Sequence, residues 1–264
     1  MGIELFVDPL FRLPLLAGLL VALVLPLVGA LLRLQDEWLA ALGFAHLAAA
    51  SALAGLALQV PAVLGGPIGA AAGAAVKAVW GARGNTAYGF MILGGWAVTL
   101  LIANNTALGS AMGHALVDGQ LYFAGTVHMA AAATLGALAA FALPWLMPRL
   151  VHARFFPRHE QANRLPAWRR RLGFDLLVAL GMAVGTGTLG LMGAFALVFV
   201  PPWIAFRFAP SLRSTLILSA GLGAGTYLIA FLAALQLDQP FGPLLVAVLL
   251  LAGALAATAR RCRP

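Results

Sequence analysis

The sequence predicts an all-α fold, a polytopic transmembrane helix bundle with about nine crossings and glycine-rich packing. Hydrophobic residues make up 62% of the 264 residues and charged residues only 9%, which is too little charge to cover a soluble globule. The mean hydropathy is +0.98, and the apolar residues form runs near the roughly 20 residues that span a bilayer. This composition excludes a cytosolic enzyme, an acidic disordered protein and a typical nucleic-acid binder.

The first crossing is interpreted as a retained helix, because Glu4 and Asp8 precede it where a cleaved signal peptide carries positive charge. Eight further apolar runs follow. The stretch 175–206 is too long for one crossing and short for two, and loop charge favours a hairpin of two short or broken helices. The predicted crossings are 13–32, 38–58, 62–79, 87–103, 129–147, 175–191, 195–206, 216–235 and 244–257.

The basic residues predict the orientation of this bundle. With nine crossings, 15 of the 16 Lys and Arg residues fall on one side and only Arg12 on the other. Lys and Arg concentrate in cytoplasmic loops, so we expect the N-terminus outside and the C-terminus in the cytoplasm, in a cell (inner) membrane. The chain is then a single transmembrane domain, 1–264, with its longest polar segment as a cytoplasmic loop at 148–172.

Glycine occurs 30 times, in clusters on otherwise apolar helices. Small residues let transmembrane helices approach closely. We expect these clusters to serve packing inside one bundle, with a dimer seam as the alternative. The clusters are Gly65, Gly66, Gly69 and Gly73, then Gly185, Gly187, Gly190 and Gly193, and finally Gly221, Gly223 and Gly225.

Polar side chains inside the crossings are candidate functional residues, since stranding one in hydrocarbon costs several kcal/mol, roughly. His46 lies near the middle of the second crossing, where an imidazole can bind a transition metal, relay a proton or hydrogen-bond a helix carbonyl. His114 and Asp118 are four residues apart and form either a weak divalent-metal site or an interfacial hydrogen-bonded pair. Asp175 is expected at the N-terminus of the sixth crossing, stabilised by the helix dipole.

Several sequence patterns are missing. The sequence has no phosphate-binding loop of the Gly-x-x-x-x-Gly-Lys-Ser/Thr type, and no His-Glu-x-x-His or Gly-x-Ser-x-Gly pattern. The single cysteine, Cys262, allows no internal disulfide and no Cys-based metal cage. We therefore expect a protein that is not an enzyme and does not hydrolyse ATP itself.

The first two crossings resemble those of zinc/manganese ABC importer permeases. The run 14–34 is similar to the first helix of that family. The second helix of the family carries Gly-Asp-x-x-x-His-Ala followed by small residues, and His46 with the alanines at 48–50 resembles this segment. Leu42 stands where the family has its aspartate.

The resemblance continues along the chain in the same order. Asp118, Tyr122 and Gly125 fall at the spacing of the family's Asp-x-x-x-Tyr-x-x-Gly segment. The segment 160–166 is similar to the family's cytoplasmic coupling helix, which ends in Leu-Pro. The last resemblance is 190–243, which ends in Leu-Asp-Gln-Pro-Phe-Gly-Pro, like the family's last outer loop.

The resemblance implies a permease subunit of an ABC importer that moves a divalent metal ion of the zinc or manganese type into the cytoplasm. It implies a homodimer, a separate ABC ATPase, an extracytoplasmic solute-binding protein and no covalently bound cofactor, the transported ion being the substrate. It places His46 and Asp118 on the ion pathway, with His46 as the metal ligand, and His114 is added to the pathway because it lies four residues before Asp118. The residues it assigns to coupling with the ATPase are Glu160, Asn163, Arg164, Leu165 and Pro166.

Two other functions stay open at this stage. The chain is alternatively a non-transporting membrane subunit for anchoring or assembly, or a permease of the same fold for another solute, since fold does not fix substrate. Association with an ATPase separates the first alternative from a permease, and the solute bound by the delivering protein decides the second.

Overall fold

The computed structural model describes residues 9–81, 84–106, 119, 121–156, 163 and 166–261. Over these ranges the chain is helical with no β-strand, and nine helices are long and apolar enough to cross a membrane. A single 3-10 turn, Leu121–Phe123, precedes the fifth of them. The predicted all-α polytopic bundle is confirmed. In chain order the helices are α1 (Pro9–Gln35), α2 (Leu39–Ala57), α3 (Ala62–Trp80), α4 (Gly84–Asn105), α5 (Thr126–Phe155), α6 (Ala167–Leu189), α7 (Leu191–Phe208), α8 (Leu212–Leu237) and α9 (Phe241–Arg261).

The predicted hairpin between residues 175 and 206 is present as α6 and α7. The two helices are joined at Gly190, whose φ of 83° is a conformation that glycine adopts without steric cost. Pro201 and Pro202 do not end α7, because the helix continues past them to Phe208, and both prolines are buried. Neighbouring helices surround them, and packing of this kind lets transmembrane helices contain proline.

The polar segment 148–172 is more helical than the sequence suggests. Helix α5 continues through Pro148 to Phe155, and α6 begins at Ala167, so the connection between the two helices is only 156–166. Arg149 shows why charge does not end α5: its guanidinium donates to the Trp145 carbonyl at 2.6 Å and lies 4.1 Å from the centre of the Trp145 ring. Arginine is a good helix former, and its apolar stem packs along the helix while its charge extends outward.

One end of the bundle gathers helix ends rich in basic residues, and we call it the arginine-rich end. The Gln35 side-chain amide donates to the Leu150 carbonyl at 3.0 Å, which ties the end of α1 to α5. Lys77 near the end of α3 pairs with Asp175 of α6 at the same end. The opposite end carries a group of aromatic rings packed at centroid distances of 5.4 to 6.4 Å. These rings belong to Phe11, Tyr122, Tyr227, Phe231 and Phe241.

Helix α2 is an interior helix, and α4 lies at the edge of the bundle. Of their most apolar windows, 67% is buried for α2 and 11% for α4. Helix α2 packs mainly on α3 and α4 and also on α6. The residues of α2 are therefore held inside the bundle, next to a helix whose outer face is uncovered.

Candidate functional site

His46 lies in the interior of α2, seven residues from the start of the helix, with 9% of its surface exposed. The neighbouring α4 approaches closely at this level because residue 95 is glycine. A Cβ atom added to Gly95 would lie 2.7 Å from the His46 carbonyl carbon, closer than real Cβ contacts. The absence of a side chain at Gly95 thus lets α4 pack against the helix turn that carries the histidine.

The imidazole of His46 is held by a main-chain group of its own helix. Its Nδ1 lies 2.9 Å from the Leu42 carbonyl oxygen. A carbonyl oxygen only accepts, so Nδ1 carries a proton, and in the neutral imidazole Nε2 then keeps its lone pair. No described residue hydrogen-bonds Nε2. Metal-binding histidines commonly have this arrangement, with one ring nitrogen donating to a carbonyl and the other free to bind the metal.

Leu42 offers only its main-chain carbonyl to this site. Its side chain lies one helical turn before His46 and has no atom able to bind a metal. In the described ranges no group of three or more His, Cys, Asp and Glu residues is close enough to hold a metal ion. The described residues therefore place no three-ligand metal cluster at His46.

The other two residues predicted on the ion pathway, His114 and Asp118, lie outside the described residues. Tyr122, which follows them, lies in the 3-10 turn, and its hydroxyl is buried with no hydrogen-bond partner among the residues that the structure describes. Burial raises the pKa of the Tyr122 hydroxyl to about 12. The ring packs edge-on against Phe11 and Phe241, so this side chain acts as a neutral part of the aromatic group.

A cavity of about 160 Å³ lies in the half of the bundle nearer the aromatic rings. Alanine, glycine, valine and proline side chains form most of its wall, together with His128 and Thr186. The Thr186 hydroxyl is 1% exposed and has no hydrogen-bond partner among the described residues. At about 30 Å³ per molecule the cavity has room for a few waters, which would satisfy this hydroxyl.

The residues predicted to couple the chain to an ATPase are only partly described. Asn163 lies in a turn and is exposed, and Pro166 is exposed and directly precedes α6. Glu160, Arg164 and Leu165 lie outside the described residues, as does most of the segment 160–166 that resembles a coupling helix. The helices on either side of the connection 156–166, α5 and α6, end and begin at the arginine-rich end.

A buried polar cluster at the arginine-rich end was not predicted from the sequence. The Lys77 ammonium donates to both carboxylate oxygens of Asp175 at 2.8 Å and to the Tyr88 hydroxyl at 2.6 Å. The Tyr88 hydroxyl donates in turn to Glu37 Oε2 at 2.9 Å. The cluster joins α3, α4 and α6 to the connection between α1 and α2.

The expectation for Asp175 is wrong. Helix α6 begins at Ala167, so Asp175 lies in the helix interior, and its charge is balanced by Lys77 rather than by a helix N-terminus. Helix α6 already includes the arginines at 169–171, which come before the apolar run. Hydropathy alone therefore places the start of α6 too late. Lys77, the only lysine in the chain, was the sequence feature that could have indicated this cluster. A lysine at the end of an apolar run needs a polar or charged partner.

Comparison with known proteins agrees with this architecture. A family model described as the ABC 3 transport family matches residues 8–259. A chain of PsaBC from Streptococcus pneumoniae, solved in complex with a Fab, is similar with a TM-score of 0.83 and 17% identity, covering 97% of this chain and 94% of that chain. A metal-chelate type ABC transporter in an inward-facing conformation is similar with a TM-score of 0.71 and 13% identity, covering 94% and 85%. No curated protein matches the sequence.

The two structural matches have low sequence identity and show a shared fold, whereas the family match spans nearly the whole chain. Members of this family are the transmembrane subunits of ABC transporters, which work with a separate ATPase and a binding protein. The chain belongs to the ABC 3 transport family and is a membrane permease subunit of an ABC transporter.

Proposed function

We propose that this chain is the permease subunit of an importer that moves a divalent metal ion of the zinc type into the cytoplasm, driven by a separate ATPase. The observation that carries the proposal is the His46 imidazole, whose Nδ1 donates to the Leu42 carbonyl and whose Nε2 keeps a free lone pair inside the bundle. A neutral imidazole fixed in this way is a ligand for a transition metal.

The chemistry of position 42 favours zinc over manganese. Imidazole nitrogen suits zinc, whereas carboxylate oxygen suits manganese. Leu42 removes the carboxylate that the resembling permeases carry one turn before the histidine. A site with nitrogen ligands and no carboxylate also holds its ion loosely, which a transport pathway requires. His114 and Asp118 supply an outer waiting site in this proposal.

The proposed assembly is a homodimer with an ATPase at one end and a solute-binding protein at the other. The uncovered outer face of α4 lies next to the helix that carries His46. A second copy at this face would bring the two histidines toward a shared pathway. The ATPase would dock at the connection 156–166, with Glu160, Asn163, Arg164, Leu165 and Pro166 as its contacts. The arginine-rich end is then cytoplasmic.

The function is tested by replacing His46 in the complete transporter. Cells without other high-affinity zinc uptake would express the chain together with its partner ATPase and solute-binding protein, and zinc accumulation would be measured. We expect His46→Ala to reduce uptake to background while the ATPase still co-purifies with the chain. The matched control is His152→Ala, at the arginine-rich end of α5, which should leave zinc uptake unchanged.

Three outcomes would contradict parts of the proposal. Zinc uptake at the wild-type rate by His46→Ala would make the histidine structural. If the wild-type transporter moved only a different solute, the chain would still be a permease, but its substrate would not be a metal ion. Failure of the chain to co-purify with any ATPase would favour an anchoring subunit.

A further inference from the structure

The cluster at the arginine-rich end already holds a cation. The three N–H groups of the Lys77 ammonium point to three oxygen atoms, two from Asp175 and one from Tyr88, at 2.6 to 2.8 Å. Glu37 adds a carboxylate oxygen at 4.0 Å. We call the oxygens of Glu37, Tyr88 and Asp175 the oxygen cage.

Two groups of the oxygen cage, Tyr88 and Asp175, are buried in the bundle, and Glu37 lies at its rim with 31% of its side chain exposed. The Asp175 and Lys77 side chains are 5% and 8% exposed, and Tyr88 is fully buried. The cage groups come from α4, α6 and the connection between α1 and α2, so separate helix contacts fix their positions. With both carboxylates ionised, the lysine cancels only one of two negative charges in the cage.

The oxygen cage is also within reach of ions at the arginine-rich end. A cleft of about 310 Å³ borders it and is lined by Glu37, Lys77, Arg170, Arg171 and Asp175. A divalent cation that entered from this cleft would meet the carboxylates of Glu37 and Asp175, with the Tyr88 hydroxyl behind Lys77. Carboxylate oxygens are the ligands that manganese, magnesium and calcium prefer, and one of the two carboxylates here, Asp175, is buried, where its attraction for a cation is screened less than in water.

We propose that Lys77 is a tethered cation that fills the oxygen cage, and that the cage without this ammonium is a binding site for a divalent cation. The ammonium thereby keeps Glu37 and Asp175 from capturing an ion that leaves the pathway. This role rests on the proposed function, because it presumes that the chain transports a divalent cation. The existence of the latent site does not depend on transport.

The test measures Mn²⁺ binding to the full-length chain purified in detergent, by loss of the free Mn²⁺ signal in electron paramagnetic resonance. Lys77→Ala removes the ammonium, and Lys77→Gln replaces it with an amide that still donates to Asp175. We expect each variant to bind one Mn²⁺ per chain more than the wild type. Lys77→Arg keeps a cation in the cage and is the matched control, with no gain in binding.

A second pair of measurements locates the extra ion. Lys77→Ala should unfold at a lower temperature than the wild type, because Asp175 then lies buried without its partner. Mn²⁺ should restore much of this loss. The double variant Lys77→Ala/Asp175→Asn should bind no extra Mn²⁺, and its unfolding temperature should not respond to the ion.

The proposal is wrong if folded Lys77→Ala or folded Lys77→Gln binds no more Mn²⁺ than the wild type, or if the double variant binds as much as Lys77→Ala. It is equally wrong if both single variants fail to fold even in Mn²⁺, because the cage should accept the ion in place of the ammonium. These measurements involve no transport, so a failed uptake experiment with His46→Ala leaves their result unaffected.

Discussion

His46 depends on a main-chain carbonyl for its orientation, and the side chain at position 42 is free to vary around it. The Leu42 carbonyl accepts the Nδ1 proton whatever the side chain is, since the bond follows the helix repeat of four residues. Residues 42 and 46 also share a helix face. A change at position 42 therefore alters the ligand chemistry near His46 while leaving the tautomer of the imidazole in place.

We predict that Leu42→Asp shifts the metal preference of the transporter from zinc toward manganese. The new carboxylate lies one turn from His46 and adds the oxygen ligand that manganese prefers. Because single groups around a metal change its affinity about 10- to 100-fold, the ratio of manganese to zinc uptake should rise about tenfold or more. Competition between the two ions in an uptake assay measures this ratio.

The control for this change is Leu42→Asn, which has nearly the shape of aspartate without its charge. It should leave the ratio close to that of the wild type. An equal shift in both variants would show that the carboxylate charge is not the cause. If neither variant shifted the ratio, position 42 would not lie on the ion pathway.

At the scale of elements, the contact between α2 and α4 sets the position of the histidine. Gly95 faces the main chain of His46, whereas the adjacent Gly94 faces outward with no neighbour within 4 Å of an added Cβ. Two glycines next to each other in the sequence thus have different roles, and only their orientation relative to α2 distinguishes them.

We predict that Gly95→Ala destabilises the chain by about 1–3 kcal/mol, the typical cost of forcing extra volume into a packed contact. Zinc uptake should fall as well, because α2 must move away from α4 at the level of His46. Gly94→Ala is the matched control and should be neutral or slightly stabilising, since alanine favours a helix over glycine by about 1 kcal/mol. Thermal unfolding in detergent compares the two variants.

Equal unfolding temperatures for Gly95→Ala and Gly94→Ala would mean that α2 and α4 do not meet as closely as the structure describes. A loss of stability with full zinc uptake would support the contact between α2 and α4 but show that zinc transport does not depend on it.

At the scale of the whole molecule, nine helices of the described residues are long and apolar enough to cross a membrane, and an odd number of crossings would place the start of α1 and the end of α9 on opposite sides. The side chains that meet at the arginine-rich end come from helices far apart in sequence, such as Gln35 with Leu150 and Lys77 with Asp175. Their convergence supports a common side for the basic segments. The charge bias then predicts that this side is cytoplasmic.

We predict that a cysteine at Asn163 is protected from an impermeant thiol reagent in intact cells and reacts in inside-out vesicles. A cysteine at Leu58, which is 77% exposed at the opposite end, should react in intact cells. Both are introduced after Cys262→Ser, and Cys262→Ser alone is the unlabelled control. Addition of the ATPase to the vesicles should protect position 163, because we place the ATPase contact there.

Labelling of position 163 in intact cells would mean that the chain has the opposite orientation in the membrane. Labelling that the ATPase does not reduce would instead retain the orientation and move the ATPase contact elsewhere.

The fold could be predicted in outline because each crossing is a local property of about 20 apolar residues. A hairpin within 175–206 was predicted from the distribution of basic residues between loops, and the structure places its join at Gly190. The ends of the helices were harder to predict. Helices α5 and α6 extend into the arginine-rich segment, because arginine continues a helix beyond the point where hydropathy falls. Asp175 was accordingly assigned to a helix N-terminus that lies two turns earlier in the structure.

The sequence by itself determined the class of the fold, the number of crossings, the family resemblance and the position of His46 within its helix, because these depend on residues near each other in the chain. The tertiary structure decided which groups those residues meet. It showed Gly95 against the main chain of His46 and Lys77 between Asp175 and Tyr88. Such contacts join segments as many as 98 residues apart, and no local pattern specifies them, because they arise only when separate helices pack around a common interior.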